Sequence, residues 1–191
     1  MTAPIGAAGT VRLDTLGARS AEGRLGELAD LLVDAVAHGA SVNFMAGFGH
    51  AEGRAFWSGQ LPAIGRGATH LHIAEHQGRI VGTALLMFAH QPNAPHRADV
   101  GKMLVHSSAR RHGIGRSLLA AVEAAAAEAG RTLLLLDTEA DSAGERLYRA
   151  CGWIAFGSVP GHAFRPDGRL AETVYFYKWL ADPSRARRPA D

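Results

Sequence analysis

One short segment limits most strongly what this chain can fold into, namely Arg110-Arg111-His112-Gly113-Ile114-Gly115-Arg116. The apolar run Met103-Leu104-Val105 precedes it, and a run with helical character follows from Ser117. This order predicts a strand, a basic glycine-containing turn and a helix. Two glycines two positions apart let the backbone approach a bulky group, and the helix start adds unpaired N–H groups and a positive dipole end. The segment therefore predicts a site for an anion, first of all a phosphate or diphosphate.

The spacing of the glycines excludes two common phosphate-binding motifs. Leu118 stands where the third glycine of Gly-x-Gly-x-x-Gly would be, and nothing fits a Walker loop. The remaining pattern, Arg-x-x-Gly-x-Gly, resembles the Gln/Arg-x-x-Gly-x-Gly/Ala loop of the GNAT superfamily of N-acetyltransferases. The resemblance implies that Arg110, Gly113 and Gly115 belong to a loop that holds the diphosphate of acetyl-CoA. The alternative is an ordinary helix start with solvated arginines.

Length and composition are those of one globular enzyme-sized domain. The chain has 191 residues, of which 47% are hydrophobic, so it can bury a full core and is not a disordered chain. A net charge of +2 gives no argument for a nucleic-acid partner. The single cysteine, Cys151, excludes an internal disulfide and fits a reducing cytoplasm. We expect a cytoplasmic protein with no signal peptide, no membrane partner, one domain over 1–182 and a basic, disordered tail over 183–191.

Hydrophobic periodicity gives a coarse secondary structure. Helices are predicted at 22–38, 52–57, 114–129 and 142–149. Strands are predicted at 11–14, 69–75, 80–88, 97–105, 133–138, 154–159 and 173–179, with a loop over 160–170. The resemblance implies the α/β (α+β) GNAT fold: a mixed, mostly antiparallel twisted sheet with a central splayed parallel strand pair, flanked by about four helices.

The resemblance also assigns the acetyl-CoA site. A bulge or close approach is plausible at Gly101, inside the strand 97–105, because glycine lacks a side chain. In the family the bulged strand leaves its parallel neighbour, and its main chain pairs with the pantetheine amides. The cofactor-binding residues so implied are Met103, Leu104, Val105, Arg110, Arg111, His112, Gly113, Ile114, Gly115, Arg116, Ser117, Thr138, Ser142 and Tyr148.

Further segments resemble one branch of the superfamily. Leu147-Tyr148-Arg149-Ala150-Cys151-Gly152-Trp153 is similar to the YxxxGF segment of GNAT enzymes. The run 136–142, Pro160-Gly161 and the run 166–170 resemble the tabtoxin-resistance acetyltransferases. That branch acetylates the active form of a β-lactam dipeptide toxin. The resemblance therefore implies a small-molecule amine as acceptor, with an amino-acid-like antibiotic or toxin as the candidate class.

Acetyl transfer needs a proton acceptor for the amine, a polarised carbonyl and a proton donor for the leaving thiolate. Asp99 and Asp137 are candidate proton acceptors, because they come from adjacent strands of the splayed sheet. Each also has an alternative role that is only structural: Asp99 would be a strand-end residue, and Asp137 would cap the next helix. The resemblance implies that Tyr148 is the proton donor. The alternative is that Tyr148 is a half-buried helix residue with no catalytic role. Backbone N–H groups around Leu104 and Val105 would polarise the carbonyl.

Other chemically active side chains are given structural roles. We expect Cys151 to pack beneath Trp153. His70 and His72 should face solvent or a partner and bind no metal, since no third ligand sits at a suitable spacing. Surface positions are expected for the runner-up bases His106, His112 and His162. The residues that either line the acceptor site or pack internally are Phe44, Met45, Phe48, Phe56 and Trp57. For Phe56 and Trp57 we expect internal packing.

Two functions remain open at this point. The first is an acetyl-CoA-dependent N-acetyltransferase, which could form a homodimer through exposed closing strands. The second is a non-catalytic acyl-CoA sensor or interaction module on the same fold.

Overall fold

The computed structural model describes residues 10–181. Its strands are Arg12–Leu16 (β1), Thr69–His76 (β2), Arg79–Phe88 (β3), Arg97–Val105 (β4), Leu133–Glu139 (β5), Ile154–Phe164 (β6) and Leu170–Trp179 (β7). Its helices are Ala18–Gly23 (α1), Leu25–Ala37 (α2), His50–Gly65 (α3), Ile114–Glu128 (α4) and Ala143–Ala150 (α5), with a 3₁₀ turn over Ser107–Ala109. The predicted basic tail at 183–191 lies outside the described residues.

The strands form one seven-stranded sheet in the order β1-β2-β3-β4-β5-β7-β6. All neighbours are antiparallel except β4 and β5, which are parallel. This confirms the predicted mixed sheet. Residues 10–181 contain five α-helices rather than about four, because the helix predicted at 22–38 is broken at Arg24, which ends α1 and precedes α2.

The parallel pair separates soon after it forms. Pairing runs only from Arg97 opposite Leu133 to Asp99 opposite Leu135. Beyond that point β4 continues along β3 to Val105, while β5 continues along β7 to Glu139. The predicted splay is therefore confirmed, and it opens a gap in the middle of the sheet.

Helices cover both faces of the sheet. Leu28, Leu31 and Trp57 pack on one face with α1, α2 and α3, while Leu119 and Val122 of α4 pack on the other face. Each such side chain that leaves water stabilises the fold by about 1.5–3 kcal/mol. No helix within residues 10–181 is long and apolar enough to span a membrane.

Helix α3 is much longer than the predicted segment 52–57. It continues through Gly59 and Pro62 to residue 65, although both residue types disfavour helix interiors. Tertiary packing offsets that cost. Gly53 lies so close to α2 that an added Cβ would be 3.0 Å from the Cβ of Ala29. The buried Trp57 donates its indole N–H to the carbonyl of Leu28 at 2.9 Å.

The predicted loop over 160–170 is also wrong in part. Strand β6 runs to residue 164, with a register shift between Val159 and Ala163 that takes up Pro160. Proline is tolerated there because β6 is an edge strand with one free side. The same strand exposes the apolar side chains Phe156 and Phe164.

His72 does not face solvent as expected. It is buried on β2, where its Nδ1 lies 3.1 Å from the Thr15 hydroxyl. Burial lowers the pKa of His72 to about 4, so the ring is neutral at pH 7. His70 is partly exposed and meets the edge of Phe88 at 4.8 Å between ring centroids.

Candidate active site

The basic turn connects β4 to α4 as the sequence predicts. Gly113 is the N-cap of α4 and has a left-handed backbone, with φ +78°. The first bond of this helix joins the Ser117 N–H to the Gly113 carbonyl at 3.0 Å. The amides of Ile114, Gly115 and Arg116 precede that bond and have no partner inside the helix. They form a cluster of donors at the positive end of a helix dipole.

Positive side chains surround these amides. Arg110, Arg111, His112 and Arg116 are all exposed. Arg110 donates its Nε–H to the Val105 carbonyl at 3.1 Å, which ties the turn to the end of β4. Exposed cations over unpaired amides fit a diphosphate, which carries its charge on several oxygens.

The second glycine of the turn has a different role from the first. Gly115 lies on the inner side of α4, and an added Cβ would be 3.1 Å from Leu147 of α5. It thus permits close packing, whereas Gly113 has open space around its Cβ position and is required for its backbone angle.

A tether between α2 and the start of the turn was not foreseen from the sequence. Asp34 accepts two hydrogen bonds of 2.7 Å from Ser107, one from its N–H and one from its hydroxyl. The His106 Nε2 lies 3.7 Å from the same carboxylate. His106 is therefore partly buried in a structural network rather than on the surface.

The gap between β4 and β5 begins after Asp99 and continues to Val105, the last residue of β4 before the turn. A bulge in β4 accompanies it, since Thr83 pairs with Leu104 but Leu85 pairs with Gly101. The predicted irregularity at Gly101 is thus present, and its left-handed residue is Lys102, with φ +46°. The backbone of Met103 to Val105 borders the gap, as a bound pantetheine arm would require.

The two carboxylates predicted for proton transfer lie on the strands that border this gap. Burial raises the pKa of Asp99, the Arg97 guanidinium opposes that effect, and the Asp137 carboxylate raises it further. Asp137 is exposed. It does not cap α5, because the Ser142 hydroxyl accepts the Glu145 N–H at 3.1 Å in that role. Two carboxylates that influence each other are suited to sharing a proton.

Tyr148 approaches the same gap from α5. It is buried, and its ring packs against Trp153 and Phe176, each with a centroid separation of 6.0 Å. Burial raises the pKa of Tyr148, and the Asp137 charge adds to the rise. The phenol is therefore protonated at neutral pH, which a proton donor needs.

Thr138 and Ser142 lie between the gap and α5. Their hydroxyl oxygens are 3.3 Å apart, and Gly144 leaves room for them, since an added Cβ there would be 2.9 Å from the Thr138 Oγ1. Both residues are partly buried. They lie near Tyr148. The residues of the basic turn lie on the other side of the gap.

Lys102 is a third charged group beside Asp99 and Asp137, and sequence reasoning missed it. Its Nζ lies 5.2 Å from the ring centroid of Phe56 and 5.8 Å from that of Phe44. Burial lowers the pKa of Lys102, and the Asp137 charge opposes the effect. The sequence signal that could have identified Lys102 is a lysine that interrupts an apolar strand directly after a glycine.

The aromatic residues predicted for the acceptor site divide into two groups. Trp57 is core. Phe44 packs with Phe48 at 4.1 Å and with Phe56 at 5.5 Å between centroids, and these rings reach towards the gap. Met45 is exposed. We call Phe44, Phe56, Lys102, Asp99 and Asp137 together the acceptor wall.

A cleft of about 380 Å³ is connected to the acceptor wall through Phe48, which lines the cleft and packs against Phe44. The loop between α2 and α3 forms one side, the turn between β6 and β7 forms the other, and the Ala46 N–H joins them through the Pro166 carbonyl at 3.0 Å. Glu139 at the end of β5 pairs with Arg165 at 2.5 Å on the cleft wall. Neither charged residue was predicted.

The remaining candidate residues lie away from the groups proposed for proton transfer in the gap. Cys151 is partly buried in the same cluster as Trp153, as expected. His112 is exposed in the turn, and the exposed His162 ring nitrogen is 2.8 Å from the Tyr175 hydroxyl. In the described part of the chain, no group of three or more His, Cys, Asp or Glu side chains is arranged to hold a metal ion.

Comparison with known proteins gives a family match and a set of similar folds. The sequence model of the acetyltransferase (GNAT) family matches residues 35–153. The phosphinothricin acetyltransferase of Sinorhizobium meliloti, solved with acetyl-CoA, is 18% identical with a TM-score of 0.75 over 93% of this chain and 92% of that chain. Protein yncA of Salmonella typhimurium, also solved with acetyl-CoA, is 16% identical with a TM-score of 0.74 over 94% and 99%.

A third similar structure has higher identity. The ribosomal-protein-alanine N-acetyltransferase of Brucella melitensis is 27% identical, with a TM-score of 0.67 over 89% of this chain and 99% of that chain. The family range includes β4, the basic turn, β5 and α5, so it spans the gap and the residues around it.

Proposed function

Because the chain belongs to the acetyltransferase (GNAT) family, we propose that it transfers the acetyl group of acetyl-CoA to the amine of a small molecule, directly and within a ternary complex. One observation carries the proposal. The turn of unpaired amides follows β4, which borders the gap, while Asp99 and Asp137 lie on the two strands that form the gap and Asp137 raises the pKa of Tyr148. An anion-binding turn and a set of proton-transfer groups are thus proposed at two places along the gap between β4 and β5, which we call the slot.

The chain's residues fit acetyl-CoA in three parts. The amides of Gly113 to Arg116, with Arg110 and Arg111, hold the diphosphate. The free backbone edge of β4 at Met103 to Val105 bonds to the pantetheine amides. Thr138 and Ser142 border the slot on the side of α5. Acetyl-CoA supplies the acetyl group as a thioester, which an amine can attack without prior activation.

The proton transfers follow from the acceptor wall. Asp137, with Asp99, takes the proton of the incoming ammonium group directly or through water. The raised pKa of Asp99 makes it a better base than an ordinary aspartate. Backbone N–H groups near Leu104 polarise the carbonyl. Tyr148 donates its phenol proton to the leaving thiolate.

We propose a small, amino-acid-like amine as the acceptor, as in the tabtoxin-resistance branch. The cleft beside the acceptor wall supports a compact acceptor, because about 380 Å³ matches a small molecule. The similar Sinorhizobium meliloti protein is a phosphinothricin acetyltransferase. The paired charges of Arg165 and Glu139 suit an acceptor that carries charges of its own.

A second acceptor class has a specific observation in its favour. The similar Brucella melitensis protein is a ribosomal-protein-alanine N-acetyltransferase. An N-terminal alanine is also a primary amine, so the same proton transfers would serve it. We therefore keep the amino terminus of a protein as the alternative acceptor, and a non-catalytic acyl-CoA sensor as the alternative to an enzyme.

The test is release of CoA thiol in the presence of defined amines. The panel contains phosphinothricin, free amino acids and a short peptide that begins with alanine. We expect turnover with a small amino-acid-like amine and little with the peptide. Turnover of the peptide alone would favour the second acceptor class. Tight acetyl-CoA binding with no turnover across a broad panel would favour the sensor.

We extend the proposal to a cytoplasmic homodimer. The edge strand β6 offers a free hydrogen-bonding side and exposes Phe156 and Phe164, whose exposed fractions are 58% and 56%. Leu170 on the neighbouring strand is 60% exposed. Light scattering should give twice the mass of the chain, and a Phe156→Glu variant should be a monomer. A monomeric wild-type protein at micromolar concentration would rule this out.

A further inference from the structure

Lysine is rare in this chain, and one of its lysines lies in the acceptor wall. Arginine and lysine together number 20, but only Lys102 and Lys178 are lysines. The two have different surroundings. Lys178 is fixed at the far end of the sheet by Glu123 at 2.7 Å and by the Cys151 carbonyl at 2.8 Å.

Lys102 occupies an unusual backbone position. Its left-handed conformation, with φ +46°, strains a residue that carries a side chain, and glycine would avoid that strain. The bulge holds it there, and the Thr83 hydroxyl donates to the Lys102 carbonyl at 3.0 Å. A strained non-glycine residue beside a slot points to a role for its side chain.

The side chain of Lys102 reaches the place proposed for the acceptor amine. Its Nζ lies near the faces of Phe44 and Phe56, which form the acceptor side of the gap. Asp137, on the opposite strand, acts on its charge from beyond ion-pair distance. Among residues 10–181 no carboxylate forms an ion pair with Lys102, so the amine is not held in a salt bridge as Lys178 is.

We propose that Lys102 is a site of self-acetylation, at which its Nζ takes the acetyl group when no acceptor amine is present. The inference rests on the proposed function, since it needs acetyl-CoA in the slot. Lys102 directly precedes Met103, the first residue proposed to line the pantetheine arm, so its amine is at the thioester end of that arm.

The step balances without any further reactant. The neutral Nζ attacks the thioester carbonyl, the N–C bond forms and the C–S bond breaks. The nitrogen loses a proton to the Asp137 carboxylate or to water, and the thiolate receives one from Tyr148. The products are N-acetyl-lysine and free CoA thiol.

Burial and a low pKa support the step, because only the neutral amine is a nucleophile. Burial lowers the pKa of Lys102 from its ordinary value. Acetylation would remove the positive charge and add a bulky group between the rings of Phe44 and Phe56. The acetyl group would then occupy part of the acceptor wall, and Lys102 would carry no charge. The acetylated protein should therefore acetylate its acceptor amine more slowly.

The experiment incubates the full chain with acetyl-CoA and no acceptor, then measures the intact mass and maps the product by proteolysis. We expect a gain of one acetyl group at Lys102, formed about tenfold faster than any acetylation at Lys178. A Lys102→Arg variant should lose this product, and a Lys178→Arg variant should keep it. A Tyr148→Phe variant should form it about tenfold more slowly.

Two controls separate this inference from chance chemistry and from the proposed function. Heat-unfolded protein should show no preference for Lys102, and equal modification of both lysines in the folded protein would overturn the inference. Calorimetry with acetyl-CoA is run in parallel. Binding without acetyl-Lys102 would overturn self-acetylation but leave the proposed function standing. Absence of binding would overturn both.

Discussion

The basic turn and the acceptor wall border the same slot but are built in opposite ways. The turn consists of backbone amides and exposed arginines that follow one another in sequence, with its conformation set by Gly113. The acceptor wall consists of side chains from β4, β5 and the helices on one face. Its charges are partly buried and alter one another's pKa values. The first region can bind with little help from the core, whereas the second depends on it.

This difference in construction predicts whether a substitution in each region should impair acetyl-CoA binding or the chemical step. A change in the turn should weaken acetyl-CoA binding and leave the chemical step alone. A change in the wall should slow the chemical step and leave acetyl-CoA binding alone. Variants of the two regions therefore test whether binding and chemistry are as separate as the structure suggests.

The largest effect is expected from Asp137→Asn. The variant removes a proton acceptor and the charge that influences Asp99, Lys102 and Tyr148, so kcat should fall about a hundredfold or more. Steady-state kinetics and acetyl-CoA titration measure it, with the exposed Asp141→Asn as the matched control. Turnover within about twofold of the wild type would remove Asp137 from the chemistry.

Tyr148→Phe should have the next largest effect. It keeps the packing against Trp153 and Phe176 but removes the proton for the thiolate, so kcat should fall about ten- to a hundredfold at constant acetyl-CoA affinity. Tyr177→Phe on β7 is the control. If a more acidic thiol leaving group fails to restore part of the lost rate, the donor role of Tyr148 is wrong.

Gly113→Ala tests the turn against a glycine with the same backbone but another location. Gly113 and Gly130 both have left-handed backbones, at φ +78° and +72°, with open space at the Cβ position. Both alanine variants should lose about 1 kcal/mol of unfolding free energy. Only Gly113→Ala should weaken acetyl-CoA binding, by about tenfold, because the proposed diphosphate site consists of the amides that follow Gly113. Equal Kd values for the two variants would show that the turn does not bind the diphosphate.

Asp99→Asn should change the shape of the pH profile more than its maximum. In the proposed mechanism the Asp99 carboxylate is the active form, so activity should fall as the pH drops through its pKa, which burial and Asp137 raise above the ordinary aspartate value. The acidic limb of kcat/KM should move to lower pH in the variant. The same limb should be unchanged in Gly113→Ala, and an unchanged limb in Asp99→Asn would assign it to another group.

Local patterns were enough to predict the turn and most of the sheet. The turn depends on neighbours in sequence, and β4 and α4 lie where the periodicity places them. The splayed pair followed from family resemblance rather than from residue patterns. The length of helix α3 was underestimated because Gly59 and Pro62 indicate a stop, and only the packing of Gly53 and Trp57 on α2 shows why the helix continues.

The acceptor wall could be predicted only in part. Asp99 and Asp137 were predicted as proton acceptors because they lie on adjacent strands, and their role in catalysis stays a prediction. Lys102 was missed because its direction depends on a bulge that no local pattern reports. The burial of His72 was missed because its neighbour in the sheet, Thr15, belongs to β1, which is distant in sequence.

A crystal structure of the protein with acetyl-CoA tests the central claim most directly. The account predicts that the diphosphate lies on the amides of Gly113 to Arg116 and that the thioester ends in the gap between β4 and β5, facing Asp137 and Lys102. A cofactor bound elsewhere, or a thioester that points away from the acceptor wall, would contradict it.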